Sequence, residues 1–403
     1  MNKKMRIPFG TVNIAEKTKE LITNALDDGR ISSGKLVQQF EEKLAEKFNM
    51  KEAVAVSSGT DAITLSAAVL HDYGAKRGDE IIVPALSFVA TGNALLHAGF
   101  KPVYVDVLLE TLNIDPSLIE AAITEKTKAI IPVHLMGKPV AMDEIKTIAK
   151  KYNLFVLEDA AEAFGAIYKG SKIGTLGDMS AFSLYVAHII TTGEGGFVLT
   201  NDSSHAEILR SLRSHGRACS CKVCISNTTS GYCSKRFELS EEGDIRFQFD
   251  RIGYSCKMNE LEAAIGLGTF DLYDDIIAVR SKNLNKMREA FKEFSDYFQI
   301  FDEEDYETIG PHAFPFLLKE NIPFTRKELM VNLEKNYIDP RTLFCSIPTQ
   351  CGGQGFLQYN YGDFPNAEYV GNSGVHIGVH QDVTDSDIEW LIDIMKSFIL
   401  NHG

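Results

Sequence analysis

No uninterrupted apolar stretch of the chain approaches the roughly 18 residues that a membrane-crossing helix needs. The opening residues, Met1 to Gly10, lack the apolar run of a secretory signal, so a soluble, cytoplasmic protein is expected. Positive charge is also scarce. There are 41 Lys and Arg against 55 Asp and Glu, a net charge of −14, which argues against a nucleic-acid binder because that function needs a basic face. An anionic substrate then requires a local cluster of cations set against the overall field. Internal repeats and low-complexity tracts are absent too.

What is present is a globular composition. The 403 residues are 44% hydrophobic and 24% charged, values that suit two or three domains around at least one large core. Apolar spacing predicts a helix over Ile14–Leu26. Beyond the Gly29 and Gly34 turns, strand-like runs alternate with helical patterns. The strands are Ala53–Val56, Ile81–Pro84, Pro102–Val107, Ala129–Val133 and Leu154–Leu157; the helices are Ala62–Leu70, Thr91–Ala98, Pro116–Ile123 and Met142–Lys151. Strands that are apolar throughout imply an α/β fold with a mostly parallel central sheet covered by helices on both faces. Met179–Leu184 and Phe197–Leu199 fit the far edge of that sheet. Residues 216–256 break the rhythm, and an insertion of that length inside a compact chain is usually functional or mobile. A helical pattern resumes near Met258 and runs towards Phe294. The expected division is a large domain over 1–260, a linking helix over 261–294, and a smaller C-terminal α/β domain over 295–403.

Several strand ends carry residues suited to chemistry. Val56-Ser57-Ser58-Gly59-Thr60-Asp61-Ala62 lies between a strand and a helix, where free N–H groups and the positive end of the helix dipole suit a phosphate. A plain helix cap uses the same residues. Phe88 follows a strand and is placed either to stack on a flat ring or to join the core. Glu158-Asp159 closes an apolar strand, and a carboxylate there can hold a pyridinium nitrogen protonated or can simply cap the next turn.

These segments, with Ser183 to Gly196 and Arg251 to Gly266, resemble the sugar aminotransferase family of fold-type I pyridoxal-phosphate (PLP) enzymes over most of the chain. The resemblance implies that Gly59, Thr60 and Ser183 hold the cofactor phosphate, that Asp61 beside them belongs to the cofactor site, that Phe88 stacks on the ring and that Asp159 pairs with the ring nitrogen. Glu162 falls where the family usually has glutamine near the ring hydroxyl. Ser255 replaces an asparagine that reaches the phosphate of the neighbouring subunit, since the family's site is completed across a homodimer interface.

One lysine is missing from this frame. Residues 180 to 196 resemble the stretch carrying the family's cofactor-linking lysine, and His188 stands in its place. A lysine there bonds covalently to the cofactor and shuttles protons, whereas an imidazole does only the second. The family has a branch with this replacement, the 3-dehydratases of nucleotide-linked 4-keto-6-deoxy-hexoses, which use the amine form, pyridoxamine phosphate (PMP). There the amine joins the C4 ketone, a base removes a proton from the cofactor methylene, and the C3 hydroxyl is expelled; His188 is the expected base.

Two versions of that branch exist, and the cysteines bear on the choice. One version restores the amine cofactor with an amino acid such as glutamate. The other, of the CDP-4-keto-6-deoxy-glucose 3-dehydrase type, carries a [2Fe-2S] cluster and takes electrons from a partner reductase. Four of the seven cysteines, Cys219, Cys221, Cys224 and Cys233, fall within 15 residues, and in a reducing compartment such crowding favours metal ligation over disulfides. Cys219, Cys221 and Cys233 match three ligands of the cluster-bearing version. The place of its fourth is taken by Ala160 and Ala161, leaving Cys224 as a substitute. Four thiolates satisfy a [2Fe-2S] cluster or a zinc ion, and a cysteine-rich loop without metal remains the third possibility.

Lys235, Arg236, Arg251, Lys257 and Arg341 are candidates for a nucleotide diphosphate. His134 and His215 are undecided between site and scaffold. Two other functions fit the same frame. An aminotransferase needs another lysine to reach the cofactor, Lys169 and Lys172 being nearest, or else a lysine-to-histidine variant of such an enzyme. A non-catalytic binding protein keeps the fold alone.

Overall fold

The structure, a computed structural model, describes residues 5–219, 221–222, 224–225, 232–238 and 243–402. Its centre is a seven-stranded sheet. In chain order the strands are β1 (Glu52–Val56), β2 (Glu80–Pro84), β3 (Lys101–Val105), β4 (Thr127–Ile130) and β5 (Phe155–Asp159). A small hairpin, β6 (Ile167–Tyr168) and β7 (Ser171–Lys172), precedes β8 (Met179–Ser183) and β9 (Gly196–Thr200). The spatial order is β1-β9-β8-β5-β4-β2-β3. From β3 to β8 neighbours run parallel, and β9 runs antiparallel to both β8 and β1. Every residue of β2, β8 and β9 is buried, as expected for strands covered on both faces. The mostly parallel sheet read from the sequence is therefore present.

Helices α1 (Glu16–Asp27), α2 (Lys35–Phe48), α3 (Gly59–Val69), α4 (Val89–Ala98), α5 (Pro116–Ala122), α6 (Met142–Tyr152) and α7 (Ser203–Leu212) flank it. In α3 the run Ala62 to Val69 is buried without interruption, so this helix is enclosed on all sides and only its N-terminus opens outward. Helix α2 has no counterpart in the sequence expectations, although Val37, Phe40, Leu44 and Phe48 recur at helical spacing and are all buried. The pattern expected to run on from Met258 is two helices, Glu260–Phe270 and Tyr273–Phe291. Asn259 and Glu262 close a capping box on the first, and Leu272 leaves helical geometry between them.

C-terminal to these, β10 (Phe298–Ile300), β12 (Ala313–Leu318), β13 (Pro340–Thr342) and β14 (Gly374–Gly378) form a four-stranded antiparallel sheet ordered β10-β12-β14-β13. Strand β11 (Glu307–Thr308) instead joins the β6–β7 hairpin. Apolar side chains gather in three clusters, two around the large sheet and one of Ile7 with residues between Leu284 and Phe398. No helix among the described residues is long and apolar enough to cross a membrane.

Candidate active site

Strands β1, β2, β5 and β8 end on the same side of the sheet, the side where open α/β sheets bind ligands. A cavity of about 470 Å³ opens there, lined from the sheet by Ser58, Gly59, Thr60, Phe88, Asp159, Glu162 and Ser183. His188, on the loop from β8 to β9, lines it too. The C-terminal part of the chain supplies His312, Arg341, Phe344 and His376, and Phe9 reaches it from near the N-terminus.

The turn into α3 is packed tightly. Ser58 caps the helix by accepting from the Asp61 N–H at 3.0 Å. A Cβ on Gly59 would lie 2.7 Å from the Ser183 Cβ, and one on Gly196 would lie 2.4 Å from the Ser58 carbonyl oxygen. Only glycine leaves the helix start open to the cavity. Asp61 itself is turned away from the lining. It accepts hydrogen bonds from the Ser57 and Ser58 hydroxyls at 2.7 and 2.8 Å and from the Cys256 thiol at 3.2 Å, so it orients the turn and does not face a ligand.

Asp159 is buried, accepts from Thr91 Oγ1 at 2.8 Å and from the Ala161 N–H at 3.2 Å, and burial raises its pKa. A cation seated against it would offset that burial. Glu162 is buried close by and accepts from the Met136 N–H at 2.7 Å. Burial first, then the Asp159 charge, pushes its pKa up to about 8, so at neutral pH it carries a proton and can donate a hydrogen bond. Phe88 is 57% exposed with its ring centroid 5.6 Å from Phe344, and so belongs to the cavity wall and not to the core.

Burial, with a smaller contribution from Arg280, lowers the His188 pKa to about 4, so the imidazole is neutral at physiological pH. Its Nδ1 is buried without a hydrogen-bond partner. Among the described residues, no lysine lines the cavity. Lys169 pairs with Asp143 at 2.6 Å and Lys172 donates to the Lys47 carbonyl, both on the distant β6–β7 hairpin. His134 borders the cavity, but both of its ring nitrogens are engaged elsewhere. Its Nε2 lies 3.2 Å from Glu158, whose two oxygens also accept from the Gly174, Leu176 and Gly177 N–H groups, while its Nδ1 accepts from the Val140 N–H.

Not every expected residue arrives. Ser255 is exposed, outside the lining, in a bridge to Ser214. Of the five cations, Arg341 lines the cavity, Arg251 pairs with Asp72 and Arg236 with Asp244, and Lys235 and Lys257 lie elsewhere. His215 donates its backbone N–H to the Tyr254 carbonyl away from the cavity. The four crowded cysteines are half-buried, and burial with Cys219 beside it pushes the Cys221 thiol up to about 11. Among the described residues, however, no three His, Cys, Asp or Glu side chains converge as a metal requires. As placed, Cys219, Cys221, Cys224 and Cys233 do not fit a cluster or a zinc ion, and Ala160, wholly buried, offers no fourth donor. His312, His376 and Phe9, which line the cavity, and Arg280, whose charge acts on His188 from beneath it, were not anticipated; they come from regions far apart in sequence, and no local motif marks them.

The residues present fit a PLP or PMP group: an open helix start for a phosphate, a buried carboxylate lacking its cation, and an exposed aromatic wall. Comparison with known proteins agrees. The sequence model described as the DegT/DnrJ/EryC1/StrS aminotransferase family matches residues 12–396. GDP-4-keto-6-deoxy-D-mannose 3-dehydratase of Yersinia pseudotuberculosis is 34% identical, over 97% of this chain and 98% of that protein. GDP-perosamine synthase of Escherichia coli O157:H7 is 33% identical, over 97% and 98%. The structure of an E. coli GDP-4-keto-6-deoxy-D-mannose 3-dehydratase with bound hydrated PLP superposes with a TM-score of 0.85 at 30% identity, over 97% of this chain and 100% of that one.

Proposed function

Since the chain belongs to the DegT/DnrJ/EryC1/StrS aminotransferase family, a family of PLP-dependent sugar-modifying enzymes, we propose that it is a 3-dehydratase of a nucleotide-linked 4-keto-6-deoxy-hexose that works with PMP. A guanosine diphosphate sugar of the GDP-4-keto-6-deoxymannose type is the favoured substrate, because relatives bearing that name match nearly end to end. The observation that carries the reading is the lining itself. A neutral histidine occupies the loop after β8, and among the described residues no lysine is there to bond the cofactor.

When bound, the cofactor supplies an amine that can join the sugar ketone and a ring that accepts electrons. The α3 start, with Gly59, Thr60 and Ser183, holds its phosphate through N–H and hydroxyl donors. Asp159, oriented by Thr91 and Ala161, holds a proton on the ring nitrogen. Glu162 stands beside the ring hydroxyl, and Phe88 excludes water from one face. His188 is free to take a proton at its imidazole, since its low pKa keeps it unprotonated. Arg341 is the cavity cation suited to the substrate's diphosphate.

No step is routed through an iron–sulfur cluster or a reductase, given how the cysteines are placed; return of the amine form by an amino acid is the version proposed. A homodimer that brings Ser255 to a neighbouring cavity is part of the same proposal. The test is His188→Asn. It should retain cofactor and lower elimination by about 10²- to 10⁴-fold, read by mass spectrometry of the sugar. Full activity in that variant, or cofactor left covalently attached after borohydride treatment of the native protein, sinks the reading.

A further inference from the structure

The residue that sequence reasoning passed over most completely is His312. It sits in the turn before β12, and that turn is pinned by Arg280, which is fully buried on the helix Tyr273–Phe291. Arg280 donates from Nε to the Pro311 carbonyl at 2.9 Å and from Nη2 to the His312 carbonyl at 2.8 Å. The His312 side chain is thereby held against two others. Its Nε2 is 3.4 Å from Glu162 Oε1, and its ring centroid is 5.1 Å from that of His188. The Nδ1 atoms of His312 and His188 are both buried without a partner. Two orphaned nitrogens on adjoining rings are costly to a fold unless they serve the chemistry.

We propose that His312 is a positioning residue that couples His188 to Glu162, so that the three side chains hold and pass protons as one array. The proposal rests on the dehydratase reading of the same cavity. The two Nδ1 atoms are not bonded to each other in the resting arrangement. Once a small ring rotation closes them on one another, each imidazole accepts at one nitrogen while it donates from the other, and a proton moves from Glu162 to His188 by an exchange of tautomers, with no net charge left on either ring. In the elimination a C–H bond and the C3–O bond break. The freed pair stays on carbon as new π bonding, and the C–O pair leaves with the hydroxyl. As the array delivers its proton to one nitrogen of His188, the other nitrogen gives its own proton to the departing oxygen, which leaves as water, and the nitrogen so freed takes the proton from carbon. One proton enters as one leaves.

The groups facing His312 suit this role. His188 comes from the loop after β8, Glu162 from the turn after β5, Arg280 from the long helix and His376 from β14, while Asp159 and Arg341 share the cavity lining with it. Burial, the neighbouring histidines and Arg280 keep His312 well below its ordinary pKa, whereas Glu162 titrates near 8, so the resting proton lies on the carboxyl.

Histidine-selective ¹⁵N NMR of the protein without sugar tests the coupling, with His188→Asn assigning the relevant ring. As pH rises through about 8, the His188 nitrogens should shift as Glu162 loses its proton. The response should vanish in Glu162→Gln and in His312→Gln, and His312→Asn provides a second variant should the first fail to fold. His188 shifts that do not move, or that move equally in His312→Gln, overturn the proposal. In turnover, His312→Gln should lower kcat about 10-fold or more with KM little changed. A loss confined to cofactor affinity overturns it. Because the NMR needs no sugar, a nitrogen response without dehydration fails the dehydratase reading and not the array.

Discussion

The strand-end cavity and the segment between residues 216 and 256 were both marked by residue types suited to a cofactor, yet they differ in what holds them. The cavity residues sit at, or a few positions past, the ends of strands whose register is set by ladders across the sheet, as Asp159 closes β5 and Ser183 closes β8. Their side chains are then tied again, Asp159 by Thr91 and Ala161, Glu162 by Met136. The cysteine segment is anchored at its ends, by the bridges Ser214 to Ser255 and Arg217 to Phe249, and its described interior has one short 3-10 turn, Ile245–Phe247. Spacing in sequence becomes geometry where a scaffold fixes both ends and the middle. Where the described interior is held by a few ties, such as Lys222 to Glu52 and Arg236 to Asp244, and not by a sheet ladder, four cysteines within 15 residues need not converge.

The sharpest way to break that contrast is to damage the scaffolded side at one atom. Gly59→Val places a branched side chain where even a Cβ meets Ser183 at 2.7 Å. Overpacking there should weaken PLP binding by about 10- to 100-fold, measured by fluorescence titration, while the protein stays folded. Unchanged affinity would mean that the α3 start is not what holds the phosphate.

A milder change probes burial within the same cavity. Glu162 titrates near 8 in the folded chain, above its ordinary value of 4.5, so the folded state holds a proton that the unfolded chain has already released. Stability from this site is therefore full below the ordinary carboxylate pKa and is lost as pH rises towards about 8. Glu162→Gln should remove that slope, so its melting temperature gains on the native protein between acid and mildly alkaline pH. His188 has the opposite sign. Its lowered pKa costs stability as pH falls from 6.5 towards about 4, and His188→Asn should be relatively more stable there. Parallel pH profiles for Glu162→Gln and the native protein would place Glu162 in a wetter site than the structure gives.

What could be read without coordinates follows the same division. The parallel sheet was legible because its strands are apolar throughout, and the strand-end positions of Gly59, Phe88, Asp159 and Ser183 follow from it. Asp61 was legible as part of the turn but not in its direction, which depends on Cys256 approaching from another part of the chain. His312 and His376 were not legible, since each lies at a strand of the second sheet and becomes a site residue only when that sheet packs over the first. The break at Leu272 was hidden because apolar residues continue at helical spacing on both sides of it.

The smallest expected effect falls on the other member of the comparison. Cys219→Ser and Cys233→Ser remove half-buried thiols that complete no metal site among the described residues. Each should change stability by no more than about 0.5 kcal/mol and leave turnover with an amino-acid donor within about 2-fold. Anaerobically purified protein should contain little iron, zinc or acid-labile sulfide. About two irons per chain, with loss of activity in either variant, would show that the segment closes on a cluster only when iron is present. The contrast between the two regions would then be one of assembly, the cavity being formed by the fold itself and the cysteine site by the metal, because thiolate–metal bonds formed on binding add their free energy to folding.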